Sequence, residues 1–267
     1  MLKTRNILFN KPNERNNFIK LYNDINEFSL KKQNKITINK LLNISKFPKE
    51  KRLSLSANYL YNEMPIRLAR RIKDLEVLPF DSKNSIAEVR NWYNESFMDF
   101  RNYDKNDLDN NESFLKMIET IYNRHSSTFI YMARGIHDFR KTNKLDGINV
   151  TALLNRFYSS RIGIRMLLSH YICLNHDPKD NYFGVICLQT NPKKILSDAI
   201  EDASYVAMRN GSNVPKFEIN SDDNIFFSYV PDHLYYIFVE ILKNAIVATN
   251  KVNREELVKC FIAMMII

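Results

Sequence analysis

A helical bundle followed by the opening part of an α/β domain is the fold class this sequence predicts, and three observations carry that expectation. Four substantial amphipathic segments joined by short polar connections fill the first two-thirds of the 267 residues. After "NHDPKDN", residues 175–181, the pattern changes to a helix, two alternating apolar segments and a second helix. The composition, 45% hydrophobic and 26% charged, is that of a chain able to bury a core rather than of a disordered one.

Taken in order, "PNERNNFIKLYNDINEFSL" places Phe18, Leu21, Tyr22, Ile25 and Phe28 at helical spacing. "TINKLLNISK" is a short helix with Thr37 as its expected cap. In "RLSLSANYLYNEMPIRLARRIKDLEVLP" the pyrrolidine ring of Pro65 is expected to break or kink the helix after Met64. "SIAEVRNWYNESFMDFRNY" opens with Ser85 and Glu88 at capping-box spacing, ahead of a buried stripe of Ile86, Val89, Tyr93, Phe97 and Phe100. The polar linker "DKNDLDNN" precedes two long helices, over 112–142 and 149–175, with Gly147 between them. A further helix spans 192–210, and the turn-forming "SDD" separates the strands "VPKFEIN" and "NIFFSYV". Pro231 and Asp232 start the last helix. The expected domains are a basic segment over 1–27, the bundle over 28–179 and the α/β part over 180–267.

Composition also excludes. No segment reaches the roughly 18 apolar residues of a membrane span, and the closing "CFIAMMII" is too short to cross. That closing run reads instead as a strand pairing with "NIFFSYV" or "VPKFEIN", with an open edge that favours self-association. Cys173, Cys187 and Cys260 have no zinc-ligand spacing, and their odd number suits a reducing compartment. The net charge of +9 reads as a dispersed solvated surface, so no nucleic-acid partner is expected. "MLKTRNILFNKPNERNNFIK" carries five Lys or Arg against Glu14 alone, as an organellar presequence or an ordinary basic first helix would.

Three constellations can carry chemistry. On "HLYYIFVEILKNAIVATN", residues 233–250, Leu234, Phe238, Ile241, Leu242, Ala245 and Ala248 form one side at 100° per residue. His233, Tyr236, Glu240, Lys243 and Asn244 form the other. Glu240 and Asn244, four apart, can order a water, polarise a hydroxyl or bind a hard cation such as Mg²⁺, or can simply be a solvated face. His125 falls on the apolar stripe of Phe114, Ile118, Ile121, Phe129, Met132 and Ile136, as a core histidine or as a catalytic one. Arg161 and Arg165 in "RFYSSRIGIRMLLSHY" stack two guanidiniums one turn apart, to pair with acids or to bind an anion. Walker, dinucleotide-binding, eukaryotic protein-kinase, nucleophile-elbow and zincin motifs are absent.

Four stretches join these signals: "NEMPIRLARRIKDLEVLP" (62–79), "NRHSSTFIYMARGI" (123–136), "NRFYSSRIGIRMLL" (155–168) and "VPDHLYYIFVEILKNAIVAT" (230–249). In their order and spacing the chain resembles the mitochondrial 2-oxoacid dehydrogenase kinases, the pyruvate and branched-chain dehydrogenase kinase family. The resemblance implies a four-helix bundle followed by the first part of a GHKL nucleotide-binding domain, the kind shared by histidine kinases, gyrases and chaperones. It implies a protein serine kinase of the mitochondrial matrix that uses ATP and Mg²⁺ to inactivate a dehydrogenase, pyruvate ahead of branched-chain. Docking on the lipoyl domain of the acyltransferase core and a homodimer for the full-length protein are also implied.

Residue by residue, the resemblance makes Glu240 the base or polariser of the substrate serine, Asn244 the Mg²⁺ ligand and Lys243 a neighbour of the ATP phosphates. His125 would orient Glu240, and Arg161 and Arg165 would line a pocket for small carboxylate regulators. Three departures stand out. Val247 occupies a position where the family usually has arginine, and Ser126 and Ser127 follow His125 where the family has an aspartate within two residues. The last glycine is Gly211, so the family's later Asp-x-Gly-x-Gly and glycine-rich lid segments are missing from these residues. A chain truncated at its C-terminus is therefore expected, inactive by itself. The alternative is a catalytically inactive module that docks on the lipoyl domain.

Overall fold

The computed structural model describes residues 12–79, 81, 83–109, 111–222, 224–252 and 257–263. Its elements are α1 (Pro12–Leu30), α2 (Ile38–Ile44), α3 (Lys49–Glu76), α4 (Ser85–Asn102), α5 (Asn111–Arg124), α6 (Thr128–Lys141), α7 (Val150–Asn175), β1 (Tyr182–Phe183), β2 (Ile186–Thr190), α8 (Pro192–Arg209), β3 (Lys216–Ser221), β4 (Phe227–Tyr229), α9 (Pro231–Val252) and β5 (Leu257–Ile262). They form two compact units, one ending at His176 and the other running from Asp177 onward together with Ile38–Asn43. Most of the presequence-like stretch, residues 1–11, lies outside the described residues.

The first unit is helical. α3 packs on α1, α4 and α7, while α4 packs on α6 and α5 on α7. Its core holds the predicted stripe of Ile86, Val89, Tyr93, Phe97 and Phe100 together with Leu60, Met64, Leu68, Phe114, Phe139 and Phe157. Aromatic rings meet edge to face in this core, Phe114 lying 5.4 Å from Tyr171 and 6.3 Å from Phe100.

Three local expectations are corrected here. α3 runs unbroken through Pro65, because Met64, Pro65 and Leu68 are all buried and the packing outweighs one lost backbone bond. The cap of α4 is not the Ser85–Glu88 pair. Asn84 Oδ1 accepts from the Ile86 amide at 2.9 Å, while the Ser85 hydroxyl donates to the Tyr131 carbonyl at 2.8 Å. The segment 112–142 is two helices, interrupted over residues 125–127. There the Thr128 hydroxyl and the Arg161 guanidinium take the His125 carbonyl, which a continuous helix would give to an amide one turn on.

The second unit is mixed. β1, β2 and β4 form an antiparallel sheet, and β3 pairs with β5 in parallel from Lys216↔Leu257 to Ser221↔Ile262. The two strands read from the sequence therefore belong to different sheets rather than to a hairpin. β1 and β2 went unpredicted because "YF" and "ICLQT" are too short to show alternation. β5 does pair with the "VPKFEIN" strand, although residues 264–267 of the tail lie outside the described residues. The small core joins Leu196, Ala199 and Ala203 of α8 to Leu242 and Ile246 of α9, with Phe217, Ile219, Cys260 and Ile262 of the sheet packed against it.

Candidate functional site

The structure places the sequence-predicted residues in two clusters, one in each unit. In the helical unit α7 presents Arg161 and Arg165 to the end of α5. Arg161 Nη2 donates to the carbonyls of His125 (3.1 Å) and Ser126 (3.3 Å), and Arg165 Nη1 donates to that of Tyr122 (3.1 Å). These carbonyls lie where a helix terminates, that of His125 being shared with the Thr128 amide at 3.3 Å, and cations suit the negative end of the helix dipole. The Arg165 guanidinium also lies 4.0 Å from the Tyr122 ring centroid.

Several other arginines of this unit face acids, whereas Arg90 spends its Nη2 donors on the backbone carbonyls of Leu75 and Leu78. Arg67 meets Glu63 at 2.9 Å, Arg71 meets Asp74 at 2.7 Å and Arg124 meets Asp99 at 2.7 Å. Among the described residues no carboxylate answers Arg161 or Arg165, and Arg161 Nε is buried without a hydrogen-bond partner. Burial, then the neighbouring Arg165, lowers the Arg161 pKa.

His125 sits in the interruption, 3% exposed, its ring 4.4 Å from that of Tyr93 and edge-on to it. Its Nε2 lies 2.9 Å from the Ser96 hydroxyl, which accepts from Arg124 Nη1 at 2.8 Å. A guanidinium can only donate, so the Ser96 hydroxyl keeps its hydrogen and a second lone pair for Nε2, and it can serve either neutral tautomer of the imidazole. Burial, reinforced by Arg124, Arg161 and Arg165, pushes the imidazole pKa down to about 3, and His125 is neutral at physiological pH. Sequence spacing marked His125 and the two arginines. It missed Tyr93, Ser96, Tyr122 and Arg124, three of which looked like ordinary helix-face residues until the fold brought them to the imidazole and guanidiniums.

The second cluster lies on α9. Leu242 (2% exposed) and Ile246 (1%) face the core, while Glu240, Lys243 and Asn244 look outward as the helical spacing predicts. Lys243 Nζ donates to Glu240 Oε1 at 2.9 Å in a half-exposed pair. Such a pair contributes about 0–1 kcal/mol, so an incoming phosphate or hydroxyl opens it at little cost. The predicted apolar side needs one correction: Ile241 is 59% exposed and Ala248 is exposed too. With Tyr236 (63%) and Val247 (51%), Ile241 frames the polar pair in apolar surface. Among the described residues no three His, Cys, Asp or Glu converge on a metal position. Glu240 and Asn244 offer hard oxygen donors one turn apart, the partial set that Mg²⁺ completes with phosphate oxygens and water.

Comparison with known proteins places the chain in a family. Residues 35–187 match the family model described as mitochondrial branched-chain alpha-ketoacid dehydrogenase kinase. The chain is 33% identical over 238 residues to the mitochondrial [pyruvate dehydrogenase (acetyl-transferring)] kinase of Arabidopsis thaliana, covering 86% of this chain and 64% of that protein. It is 39% identical over 143 residues to the Schizosaccharomyces pombe protein of the same name, covering 52% and 33% respectively. It is also 28% identical over 208 residues to the human isozyme 4, covering 72% and 51%. The chain thus spans between one third and two thirds of the length of these curated relatives. A family model matched over more than half of the residues, on the segment that holds His125, Arg161 and Arg165, shows that the chain belongs to the mitochondrial alpha-ketoacid dehydrogenase kinase family.

Proposed function

We propose that this chain carries the regulatory unit and the base-bearing helix of a protein serine kinase that uses Mg-ATP to phosphorylate and inactivate a mitochondrial 2-oxoacid dehydrogenase. Pyruvate dehydrogenase is the preferred substrate, a choice supported by the names of the relatives above. The carrying observation is the outward Glu240–Lys243–Asn244 face of α9 in a member of this kinase family. Glu240 accepts the proton of the substrate serine hydroxyl, and Lys243, released from it, holds the transferred phosphate. Asn244 supplies an oxygen ligand for Mg²⁺, which when bound neutralises charge on the phosphates. α3, α4, the α5–α6 pair and α7 correspond to a four-helix bundle that docks on the lipoyl domain, and residues 180–267 to the first part of a GHKL domain. The full-length protein is read as a homodimer of the mitochondrial matrix.

Arg161 and Arg165 bind small carboxylate regulators, a reading supported by their want of an acidic partner and by the buried Arg161 Nε. Titration with a small 2-oxo acid checks it. Binding is expected, and its survival in Arg161→Met would overturn the assignment.

A second reading applies to these 267 residues taken alone, namely docking and ligand binding without turnover. After Gly211 they contain no glycine, hence none of the close backbone approach that cradles adenine and triphosphate in this family. The decisive measurement is nucleotide titration with and without Mg²⁺. Magnesium-dependent binding that is lost in Asn244→Ala supports the site. Binding indifferent to both Mg²⁺ and Asn244, or phosphoryl transfer that survives Glu240→Gln, overturns it.

A further inference from the structure

The positive charge that reads as dispersed along the whole chain is in fact concentrated. Residues 31–52 hold eight Lys and Arg against the single Glu50, which accounts for seven of the nine net charges of the chain. Lys31, Lys32, Lys35, Lys46, Lys49 and Lys51 are all exposed.

Within the helical unit the fold aligns two groups of these cations. The loop after α1 is clamped on the middle of α3. Glu63 accepts from the Asn34 amide at 3.0 Å, Arg67 Nη2 donates to the Asn34 carbonyl at 2.8 Å, and Arg70 Nη2 donates to that of Lys31 at 2.7 Å. Steps of three or four residues back along α3 from Glu63 reach Tyr59, Ser56, Arg52 and Lys49, so Lys49 and Arg52 share the stripe on which the loop lies, with Lys51 to one side of it. Over those 14 residues the helix rises about 20 Å. The result is an elongated basic face with Lys31, Lys32 and Lys35 at one end and Lys49 and Arg52 at the other, where Lys46 and Lys51 flank it. Its acids are few: Glu63 is buried under the loop, Glu27 holds Lys31 at 2.7 Å, and Glu50 is exposed in the first turn of α3.

Apolar side chains stand among these charges. Leu30 is 84% exposed, Phe47 40% and Leu55 38%, and Lys51 lies over the Phe47 ring at 4.7 Å. Seven of the eight cations are lysines. Protein–protein interfaces favour arginine and are depleted in lysine. A lysine-rich face with protruding Leu and Phe suits a bilayer surface, where long stems lie along the acyl boundary, ammonium groups reach the headgroups and apolar residues dip below them. We propose that this face docks on an anionic lipid membrane, as a peripheral contact that no spanning helix is needed to provide.

The test is co-sedimentation of the 267-residue chain with vesicles of phosphatidylcholine, alone or mixed with phosphatidylglycerol. Binding is expected to the mixed vesicles only and is expected to weaken as salt rises. The triple variant Lys32→Glu, Lys49→Glu, Lys51→Glu should lower the partition coefficient by at least about two orders of magnitude, from roughly fivefold per charge removed and more for reversal. The variant Lys105→Glu, Lys116→Glu, Lys141→Glu makes the same change in net charge on other exposed helix faces and should bind far more tightly than the first. Circular dichroism checks that both remain folded. Absence of binding to anionic vesicles, or equal losses in the two variants, overturns the proposal. So does an acidic lipoyl domain that binds through Lys32, Lys49 and Lys51 while the vesicles are ignored, since the partner is then a protein.

Discussion

Replacing Gly135 by alanine should destabilise the helical unit, although the same change in an exposed helix interior stabilises by about 1 kcal/mol. Gly135 lies in α6 where that helix crosses the start of α4. A Cβ built there would stand 2.4 Å from Ile86 Cγ1 and 2.5 Å from Asn84 Oδ1. Carbon contacts are normally about 3.5–4.0 Å, so α6 and α4 must separate by roughly 1 Å. Overpacking of this kind costs about 1–3 kcal/mol. The displaced Asn84 side chain also caps α4 through the Ile86 amide and donates to the Gly135 carbonyl at 3.2 Å, and losing the cap costs about 0.5–2 kcal/mol. Set against the helix-propensity gain, the net loss is about 0.5–4 kcal/mol. Urea unfolding followed by far-ultraviolet circular dichroism reads it directly. Asn84→Ala should shrink the penalty, because one of the two obstructing groups is then gone. A Gly135→Ala protein more stable than wild type would refute the reasoning, since it would mean that α4 and α6 do not meet at this glycine.

Glu63→Gln leaves Arg67 buried beside a neutral amide and should cost about 3–5 kcal/mol in the same assay; a loss below about 1 kcal/mol would show that Glu63 does not hold the Asn34 loop. His125 and His170, with pKa values pushed down to about 3 and about 4 by burial, take up protons more readily unfolded than folded. Stability is then complete above the ordinary value of 6.5 and falls as the pH drops from there toward about 3–4. His125→Gln should flatten part of that dependence, and an unchanged urea midpoint-versus-pH slope would contradict it. On β5, Phe261 is 73% exposed and Leu257 45%, and among the described residues the strand pairs on one edge only. Phe261→Glu should raise the monomer fraction in light scattering; association unaffected by it would place the sticky surface elsewhere.

Periodicity alone determined much of this protein. The apolar stripe of α4, the span of α7, the Pro-initiated start of α9 and the outward placement of Glu240, Lys243 and Asn244 all follow from side chains recurring every three or four residues. Such signals are local, and the structure agrees wherever local preference and packing point the same way. Tertiary structure decided the rest, because there the competing groups come from distant parts of the chain. Pro65 stays within one helix since the core holds both of its flanks, and "VPKFEIN" finds its partner in Leu257–Ile262 rather than in the strand beside it. The arginine pair shows the division most plainly. Four-residue spacing put Arg161 and Arg165 on one face of α7, but only the fold set them on the carbonyls of a helix interrupted at His125, with no acid to meet them. Whether a guanidinium is a strut or an anion site depends on which groups surround it in space, and spacing along a single helix does not carry that information.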